Sequence, residues 1–199
     1  LLSRAEYEKQ KVITTEFAIK IYGDRQKTFD TLSRLTKKGR LIQIQRGKYL
    51  IVPLRAPNQM WIPNEFTTAK YWMGDTPYYI GYFNMYNYWG FTEQVPQTVF
   101  VLNTRKSMNK IITGIRFKAV RIDKKKYYGI QGIKIDGETV NISDKERTLV
   151  DFIFNPINSF NKIKEVLKDN VKEIDAEKFI KYLIQFPVIA VRKRAGYIL

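Results

Sequence analysis

The hydrophobic positions at the start of the chain recur with the period of a helix. Ser3, with Glu6 three residues later, has the pattern of a capping box and predicts a first helix from Ser3. The segment TEFAIKIY predicts a second helix, which Gly23 ends. Its apolar stripe consists of Phe17, Ala18, Ile21 and Tyr22, and Thr14 or Thr15 is its cap.

The next segment, DRQKTFDTLSRLTKKG, predicts a third helix over residues 25–38, with Asp24 as N-cap and Gly39 as the stop. Its apolar row is Phe29, Leu32 and Leu35. If this row faces the core, a rotation of about 100° per residue places a polar, cationic face on the opposite side. That face contains Gln26, Lys27, Asp30, Thr31, Arg34, Lys37 and Lys38.

Beyond Gly39 the pattern changes to the alternation of a strand. The turn pair Arg46-Gly47 divides two strands and predicts a hairpin. The alternating residues are Leu41, Gln43 and Gln45 against Ile42 and Ile44 in the first strand, followed by Tyr49 and Ile51 in the second.

The order of helix, helix, short turn, helix and hairpin is that of a winged helix-turn-helix. In such a domain the third helix enters the major groove, where polar side chains read base edges and cations contact phosphates. Arg46 and Lys48 at the hairpin turn would be the wing. Two alternatives stay open, since surface helices commonly have a charged face and small winged domains also dock on proteins. The cations of the wing favour DNA binding over these two alternatives.

The residues after Pro53 differ in composition. The segment PLRAPNQMWIP contains three prolines and predicts a linker. Two helices are predicted over residues 65–73 and 77–89, with Thr76 capping the second ahead of Pro77. Residues 78–89 are nearly all aromatic or small, which is typical of a buried helix, although aromatic side chains can also stack on bases. The lack of Lys and Arg in this run favours the core.

Strands follow, and then helices. A buried strand is predicted over residues 98–104 and a half-exposed one over GIRFKAVRI. The segment IKIDGETVNI predicts a hairpin, with Asp136-Gly137 as a type I′ turn. In SDKERTLVDFIFN, Ser143 and Glu146 have the spacing of a second capping box. The buried stripe of this helix would be Leu149, Val150, Phe152 and Ile153, and Ser159 and Asp175 would cap helices over residues 160–169 and 176–185.

These elements predict an α+β protein. The N-terminal winged helix-turn-helix would occupy residues 1–55, the linker 56–63, and a mixed α/β domain 64–199.

The charge of the chain indicates a polyanionic partner. The 199 residues have a formal net charge of +16, and the excess is uneven. Residues 1–55 contain 13 basic and 5 acidic side chains, and residues 100–142 contain 10 and 3. Such an excess most often means nucleic acid, although a basic surface can also serve only solubility.

The block of residues 100–142 forms a second basic feature. The segments Arg105 to Lys110 and Lys124 to Lys126 are expected at strand ends on one edge of the sheet, where they either add a second anionic contact or belong to solvated loops. We count as this possible second basic surface Arg105, Lys106, Lys110, Arg116, Lys118, Lys124, Lys125 and Lys126.

The composition also limits the chemistry. The chain has no Cys and no His, which excludes disulfides, thiolate zinc sites and histidine-based triads. Asp136 and Glu138 lack the following Lys of a nuclease motif and are typical of a turn. We therefore expect no catalytic residues, no metal and no cofactor. Without a signal peptide or an apolar run of about 18 residues, we expect a cytoplasmic protein. Since the chain begins with Leu1 and stops after RAGYIL, we expect both ends to be incomplete.

Three segments resemble the AbiEi-type antitoxins of bacterial and archaeal toxin–antitoxin and phage-defence systems. They are GKYLIVP, PYYIGYFNMYNYWGFTEQVPQTVFV and VNISDKERTLVDFI, and their order and spacing match over nearly the whole chain. The specific parts are the aromatic run leading into TEQVPQTVFV and the motif VSDxERTLVD, which here is ISDKERTLVD.

The resemblance implies an N-terminal domain that binds operator DNA and represses its own operon. It implies a C-terminal domain that counteracts a nucleotidyltransferase-like toxin, often without a stable complex. We expect the protein to be a monomer or a weak dimer. By position, residues 25–38 would be the recognition helix and Arg46 to Lys48 the wing turn. Two other functions stay open: an RNA-binding or nuclease-like factor acting through residues 100–142, and a module that sequesters the toxin directly.

Overall fold

The computed structural model describes residues 1–53, 61, 63–157, 160–170 and 172–198. The chain divides into two compact units, one formed by Leu1–Gly74 with Ile111–Gly114, the other by Asp75–Lys110 with Ile115–Leu199. This division falls after Gly74, whereas the sequence placed the second domain from residue 64. The linker predicted over residues 56–63 and the cap predicted at Ser159 lie largely or wholly outside the described residues.

The first unit combines helices with a three-stranded sheet. Its strands are ordered β1-β3-β2 and are antiparallel, with Ile13 opposite Tyr49 and Ile42 opposite Leu50. Its elements are α1 (Leu2–Tyr7), β1 (Val12–Thr14), α2 (Thr15–Tyr22), α3 (Arg25–Lys37), β2 (Leu41–Gln45), β3 (Lys48–Ile51) and α4 (Glu65–Met73).

Local signals explain most of these boundaries. Thr14 caps α2 as predicted, since its Oγ1 accepts from the Phe17 amide at 3.2 Å, and Gly23 ends that helix at a φ of 69°. The capping box predicted at Ser3 is wrong, because α1 begins at Leu2 and no side chain caps it. Strand β1 was not predicted, since three residues are too few to show an alternation.

The predicted hairpin is confirmed, with one irregularity. Leu41 and Ile44 are both buried although three positions separate them. The register shifts between Gln43 and Gln45, which is a β-bulge. One extra residue in β2 turns Ile44 toward the core and breaks the strict alternation.

The second unit is built on a mixed six-stranded sheet of order β6-β7-β5-β4-β9-β8, of which only the last two residues of β6, Ile111 and Ile112, are assigned to the first unit. Parallel pairs join β5 to β7 and β4 to β9, while β4 pairs with β5 and β8 with β9 antiparallel. The elements are β4 (Tyr78–Ile80), α5 (Phe83–Tyr88), β5 (Thr98–Asn103), β6 (Met108–Ile112), β7 (Ile115–Arg121), a 3-10 turn (Lys124–Lys126), β8 (Ile130–Ile135), β9 (Glu138–Ser143), α6 (Lys145–Phe154), α7 (Phe160–Asn170), α8 (Ala176–Gln185) and α9 (Ile189–Ile198).

The helix predicted over residues 77–89 is wrong. Residues Tyr78–Ile80 form a central strand that is buried on both faces, and the helix starts only at Phe83. A short run of buried aromatic and β-branched residues gives no periodic signal that separates strand from helix. The expectation that this run belongs to the core holds for most of it, although Tyr88 is 48% exposed.

The helical layer packs around α6. Leu149, Val150, Phe152 and Ile153 are fully buried, as predicted from their stripe. They pack with residues of α7, α8 and α9, and the Phe152 ring meets Tyr86 of α5 edge-on at 4.9 Å. The cap of α6 is Asp144, whose Oδ1 accepts from the Arg147 amide at 2.8 Å, so the box predicted at Ser143 is wrong. Asp175 caps α8 as predicted.

Candidate nucleic-acid interface

Helices α2 and α3 are joined by only two residues, Gly23 and Asp24, which restricts the angle between the two helices. Gly23 takes a left-handed conformation that few other residues adopt without strain. Asp24 then caps α3, and its Oδ1 accepts from the Lys27 amide at 2.6 Å. The N-terminal turn of α3 is therefore held in place by its own sequence.

The buried residues of α3 are Thr28, Thr31 and Leu32. Of the predicted row, Leu32 is buried as expected and Leu35 packs half-buried against the same core. Thr28 can be fully buried because its hydroxyl donates to the Asp24 carbonyl at 2.6 Å. Phe29 is 44% exposed, so its assignment to the core is wrong. Thr31, which was expected among the base readers, is only 9% exposed and lies toward the core.

The outward face of α3 is polar and cationic. The other residues expected there are all exposed: Gln26, Lys27, Asp30, Arg34, Lys37 and Lys38. Phe29 and Ser33 share this exposed side, and sequence reasoning missed both. The threonines at positions 28, 31 and 36 could have revealed this rotation, since threonine can bury its hydroxyl on the carbonyl four residues earlier, as Thr28 and Thr36 do.

Few of these side chains are occupied by internal contacts. Gln26 Nε2 donates to Asp30 Oδ1 at 3.1 Å, and Lys27 Nζ lies 6.0 Å from the centre of the Tyr22 ring. Within the described residues, no hydrogen bond or ion pair holds the side chains of Arg34, Lys37 or Lys38. An open recess beside them is lined by Tyr22, Asp24, Gln26, Lys27, Asp30, Thr31 and Arg34.

The turn between β2 and β3 is anchored at its base. The Thr15 amide donates to the Gly47 carbonyl at 2.9 Å, which ties the turn to the start of α2. Arg46 is exposed at the tip. The Lys48 ammonium lies against Gly74, where the last carbonyls of α4 favour a cation. Of the two predicted wing cations, Arg46 is the one at an outward position.

The cations of the second basic surface fall into separate groups. Arg116 and Lys118 lie on one face of β7, where Arg116 donates to Gln97 Oε1 at 3.0 Å, and Lys110 is exposed on β6. Lys126 turns inward, with its Nζ 4.3 Å from the centre of the Phe154 ring and 5.1 Å from that of Phe186. The remaining residues lie at one end of the sheet: Arg105, Lys106, Lys124 and Lys125.

Helix α6 contains a buried ion pair. Arg147 and Asp151 are each 1% exposed, and Nη1 of Arg147 donates to Oδ1 of Asp151 at 2.6 Å. Arg147 also donates to the Tyr79 hydroxyl at 3.3 Å and to the Lys126 carbonyl at 3.1 Å. Burial raises the pKa of the Asp151 carboxyl, and the Arg147 guanidinium opposes that rise. These contacts join α6 to β4 and to the 3-10 turn.

Other residues of the motif ISDKERTLVD also make structural contacts. Glu146 accepts from Lys178 Nζ at 2.8 Å and from the Asp175 amide at 3.1 Å, which links the start of α6 to that of α8. Ser143 Oγ and Thr148 Oγ1 lie 2.7 Å apart.

In the parts of the chain that the structure describes, no cluster of three or more acidic side chains could hold a metal ion. No helix among those residues is long and apolar enough to cross a membrane.

The fold defines a class of α+β protein whose N-terminal unit combines helices with a three-stranded antiparallel sheet. Residues 5–52 match the model of a family described as transcriptional regulators, AbiEi antitoxins. The resemblance found in the sequence is therefore confirmed over this segment, which contains α2, α3 and the β2–β3 hairpin. No curated protein matches the chain significantly.

The fold is also found in a solved structure. The crystal structure of the RV2827C protein from Mycobacterium tuberculosis is similar, with a TM-score of 0.68 and 14% sequence identity. The match covers 99% of this chain and 74% of that one. At this level of identity the likeness shows a shared fold and nothing about activity.

Proposed function

We propose that the first unit is a winged helix-turn-helix that binds operator DNA, and that the protein represses its own operon by occupying that operator. One observation carries this proposal. The outward face of α3 presents Arg34, Lys37 and Lys38, whose side chains have no hydrogen bond or ion pair within the described residues, on a helix whose first turn is fixed by Asp24. A helix that lies in the major groove requires such a face.

The proposed contacts to DNA fall into two chemical groups, those to phosphates and those to bases. Lys27, Lys37, Lys38 and Arg46 would contact phosphates and give affinity without sequence preference. Gln26, Asp30 and Arg34 would read bases near the N-terminal half of α3. The Gln26–Asp30 hydrogen bond would orient the Gln26 amide before DNA arrives. Lys48 would have to leave Gly74 to reach a phosphate, so we assign it a smaller contribution.

The proposed antitoxin role rests on the family that residues 5–52 match. We propose that the second unit counteracts a nucleotidyltransferase-like toxin without catalysis of its own, as a cytoplasmic protein that is a monomer or a weak dimer. In a bacterium that produces the neighbouring toxin, the intact protein should restore growth. A stable complex with that toxin on co-purification would instead indicate direct sequestration.

A titration of DNA from directly upstream of the gene tests the repressor role. Anisotropy would be measured for the full chain at two salt concentrations, with scrambled competitor DNA. Each phosphate contact should add about 0.9 to the slope of log affinity against log salt. The triple variant Arg34→Gln, Lys37→Gln, Lys38→Gln should lose the specific binding that withstands scrambled competitor DNA.

A matched control keeps the charge change and moves it elsewhere. Lys168, Lys172 and Lys181 are exposed in the second unit, and their change to Gln removes the same three charges. This variant should keep specific binding. Equal loss in both variants, or binding that scrambled DNA removes completely, would show that net charge acts nonspecifically and would reject the operator reader.

A further inference from the structure

Two loops of the second unit meet at one end of its sheet. Strands β5 and β7 are parallel, and their last residues, Asn103 and Arg121, lie opposite each other. Because the carboxyl ends of parallel strands share one edge, residues 104–107 and 122–126 come together there. The sequence showed two separate basic segments, and the topology makes them one surface.

A buried asparagine fixes the first loop. Asn103 is fully buried, and its Oδ1 accepts from the amides of Arg105 and Lys106, each at 2.9 Å. Its Nδ2 donates to the Lys106 carbonyl at 2.9 Å. The second loop is tied to the first, since the Arg121 amide donates to Ser107 Oγ at 2.9 Å. The backbone of this surface is therefore set in advance, which lowers the cost of ordering it around a ligand.

Five exposed cations project from this frame. They are Arg105, Lys106, Arg121, Lys124 and Lys125. In the described parts of the chain, none of their side chains takes part in a hydrogen bond or ion pair. Five like charges on one fixed surface repel each other, and a polyanion relieves that repulsion.

An open recess lies among these cations. It is lined by Thr104, Arg121, Ile122, Asp123 and Lys124. Asp123 is the one carboxylate in the two loops, and its Oδ1 accepts from the Lys125 amide at 2.7 Å. Its charge opposes an anion in the recess, while its hydrogen bond supports the 3-10 turn. These two effects can be separated by a single substitution.

We propose that this surface binds the phosphodiester backbone of a nucleic acid, independently of α3. An anionic membrane fits less well, because interfacial binding requires apolar side chains beside the cations. No large exposed hydrophobic residue lies in these two described loops. DNA and RNA share the phosphodiester chemistry, and the experiment distinguishes them.

The test uses the full chain with the α3 surface already neutralised by Arg34→Gln, Lys37→Gln and Lys38→Gln. This background protein should still bind duplex DNA, duplex RNA or single-stranded RNA in a salt-dependent manner. Changing Arg105, Lys106, Arg121, Lys124 and Lys125 to Gln should weaken that binding by roughly tenfold or more and lower the salt slope. The tightest of the three probes identifies the backbone that the surface prefers.

Two controls decide whether the site itself is responsible. Changing Lys134, Lys168, Lys172, Lys181 and Lys193 to Gln removes five exposed charges elsewhere in the second unit and should have little effect. Asp123→Asn keeps an acceptor for the Lys125 amide and removes the negative charge, so it should tighten binding about twofold to fourfold. Equal weakening in the two variants with five substitutions would overturn the proposal. So would a lack of tighter binding by Asp123→Asn, and that result decides even if the loop variant fails to fold.

Discussion

Arg147 Nη1 lies 2.6 Å from Asp151 Oδ1, and both side chains are 1% exposed. The guanidinium also stacks on Tyr128, 4.8 Å from its ring centre. A charge buried this completely is tolerable only while its partner remains, because removal of one partner leaves the other in a poorly polarisable interior. The pair therefore makes the core of the second unit sensitive to either residue.

Asp151→Ala should destabilise the protein by about 3–5 kcal/mol, since Arg147 would stay charged and lose its carboxylate. Urea unfolding of the variant measures this loss. The double variant Arg147→Met, Asp151→Leu should recover much of it, because no charge remains buried. As a surface control, Glu173→Gln removes the exposed partner of Lys145 and should leave the unfolding midpoint unchanged. A loss below about 1 kcal/mol for Asp151→Ala would contradict this account.

Gly129 and Gly137 offer a matched test of close packing. Both have positive φ, 67° and 77°. A Cβ at Gly129 would lie 2.5 Å from the Cβ of Arg147, whereas one at Gly137 would meet nothing within 4 Å. Gly137→Ala should cost about 1–2 kcal/mol from backbone strain alone. Gly129→Ala should cost roughly 1–3 kcal/mol more, from overpacking. Equal unfolding free energies for the two variants would contradict the close approach.

Arg34→Ala tests base reading by α3. If Arg34 contacts a base edge, the variant should lose about 1–3 kcal/mol at the cognate site and relax sequence preference there. Lys38→Ala, one turn further along α3, should instead weaken cognate and scrambled DNA alike. Competition titrations with both DNAs separate the two outcomes. A uniform loss for Arg34→Ala would identify Arg34 as a phosphate contact.

If α3 enters the major groove as proposed, Phe29 should contact a thymine methyl group there. It is the exposed aromatic residue of α3, and apolar side chains contact the methyl group of thymine. In a selected binding site, replacing one thymine by uracil should cost about 0.8 kcal/mol for the wild-type protein, the value of one buried carbon. The same replacement should cost nothing for Phe29→Ala. If no thymine in the site shows this coupling, Phe29 does not read DNA.

Acid should weaken the link between α6 and α8. Burial alone would raise the pKa of Glu146, but hydrogen bonds from Lys178 and the Asp175 amide hold it below 4.5. Because the unfolded chain binds the proton more readily, this stabilisation is fully present well above the unfolded pKa of the carboxyl and is lost as pH falls through its lower folded pKa. The difference in urea midpoint between wild type and Glu146→Gln should therefore shrink in acid. A difference that stays constant from pH 7 to pH 3 would contradict it.

Three helix caps were predictable from the sequence, whereas the pairing of strands that are distant along the chain was not. Thr14, Asp24 and Asp175 cap their helices as expected, because a cap depends on residues two or three positions away. The helix predicted over residues 77–89 failed at Tyr78–Ile80, because that segment is a strand held by residues 21 to 62 positions later. Composition alone could not reveal a partner so far along the chain.

The candidate interface was predicted with a rotational error. The prediction placed Phe29 on the buried face of α3, and this rotation put Thr31 on the exposed face. In the structure Phe29 is exposed and Thr31 is buried. Hydrophobicity scales treat threonine as polar, although Thr28 is fully buried with its hydroxyl bonded to Asp24. The basic residues of the two sheet loops were found, but their convergence depends on the parallel pairing of β5 and β7.

The pairing of β4 with β9 also sets an order of events during synthesis. Ile80 lies opposite Ile142, so this aromatic strand emerges from the ribosome long before its parallel neighbour exists. The three-stranded sheet of the first unit, in contrast, needs no residue beyond Ile51. Contacts between distant segments form slowly and leave apolar strands exposed meanwhile. The three-stranded sheet of the first unit can therefore form first, while nascent β4 stays unpaired until β9 is made and is a natural client for a chaperone.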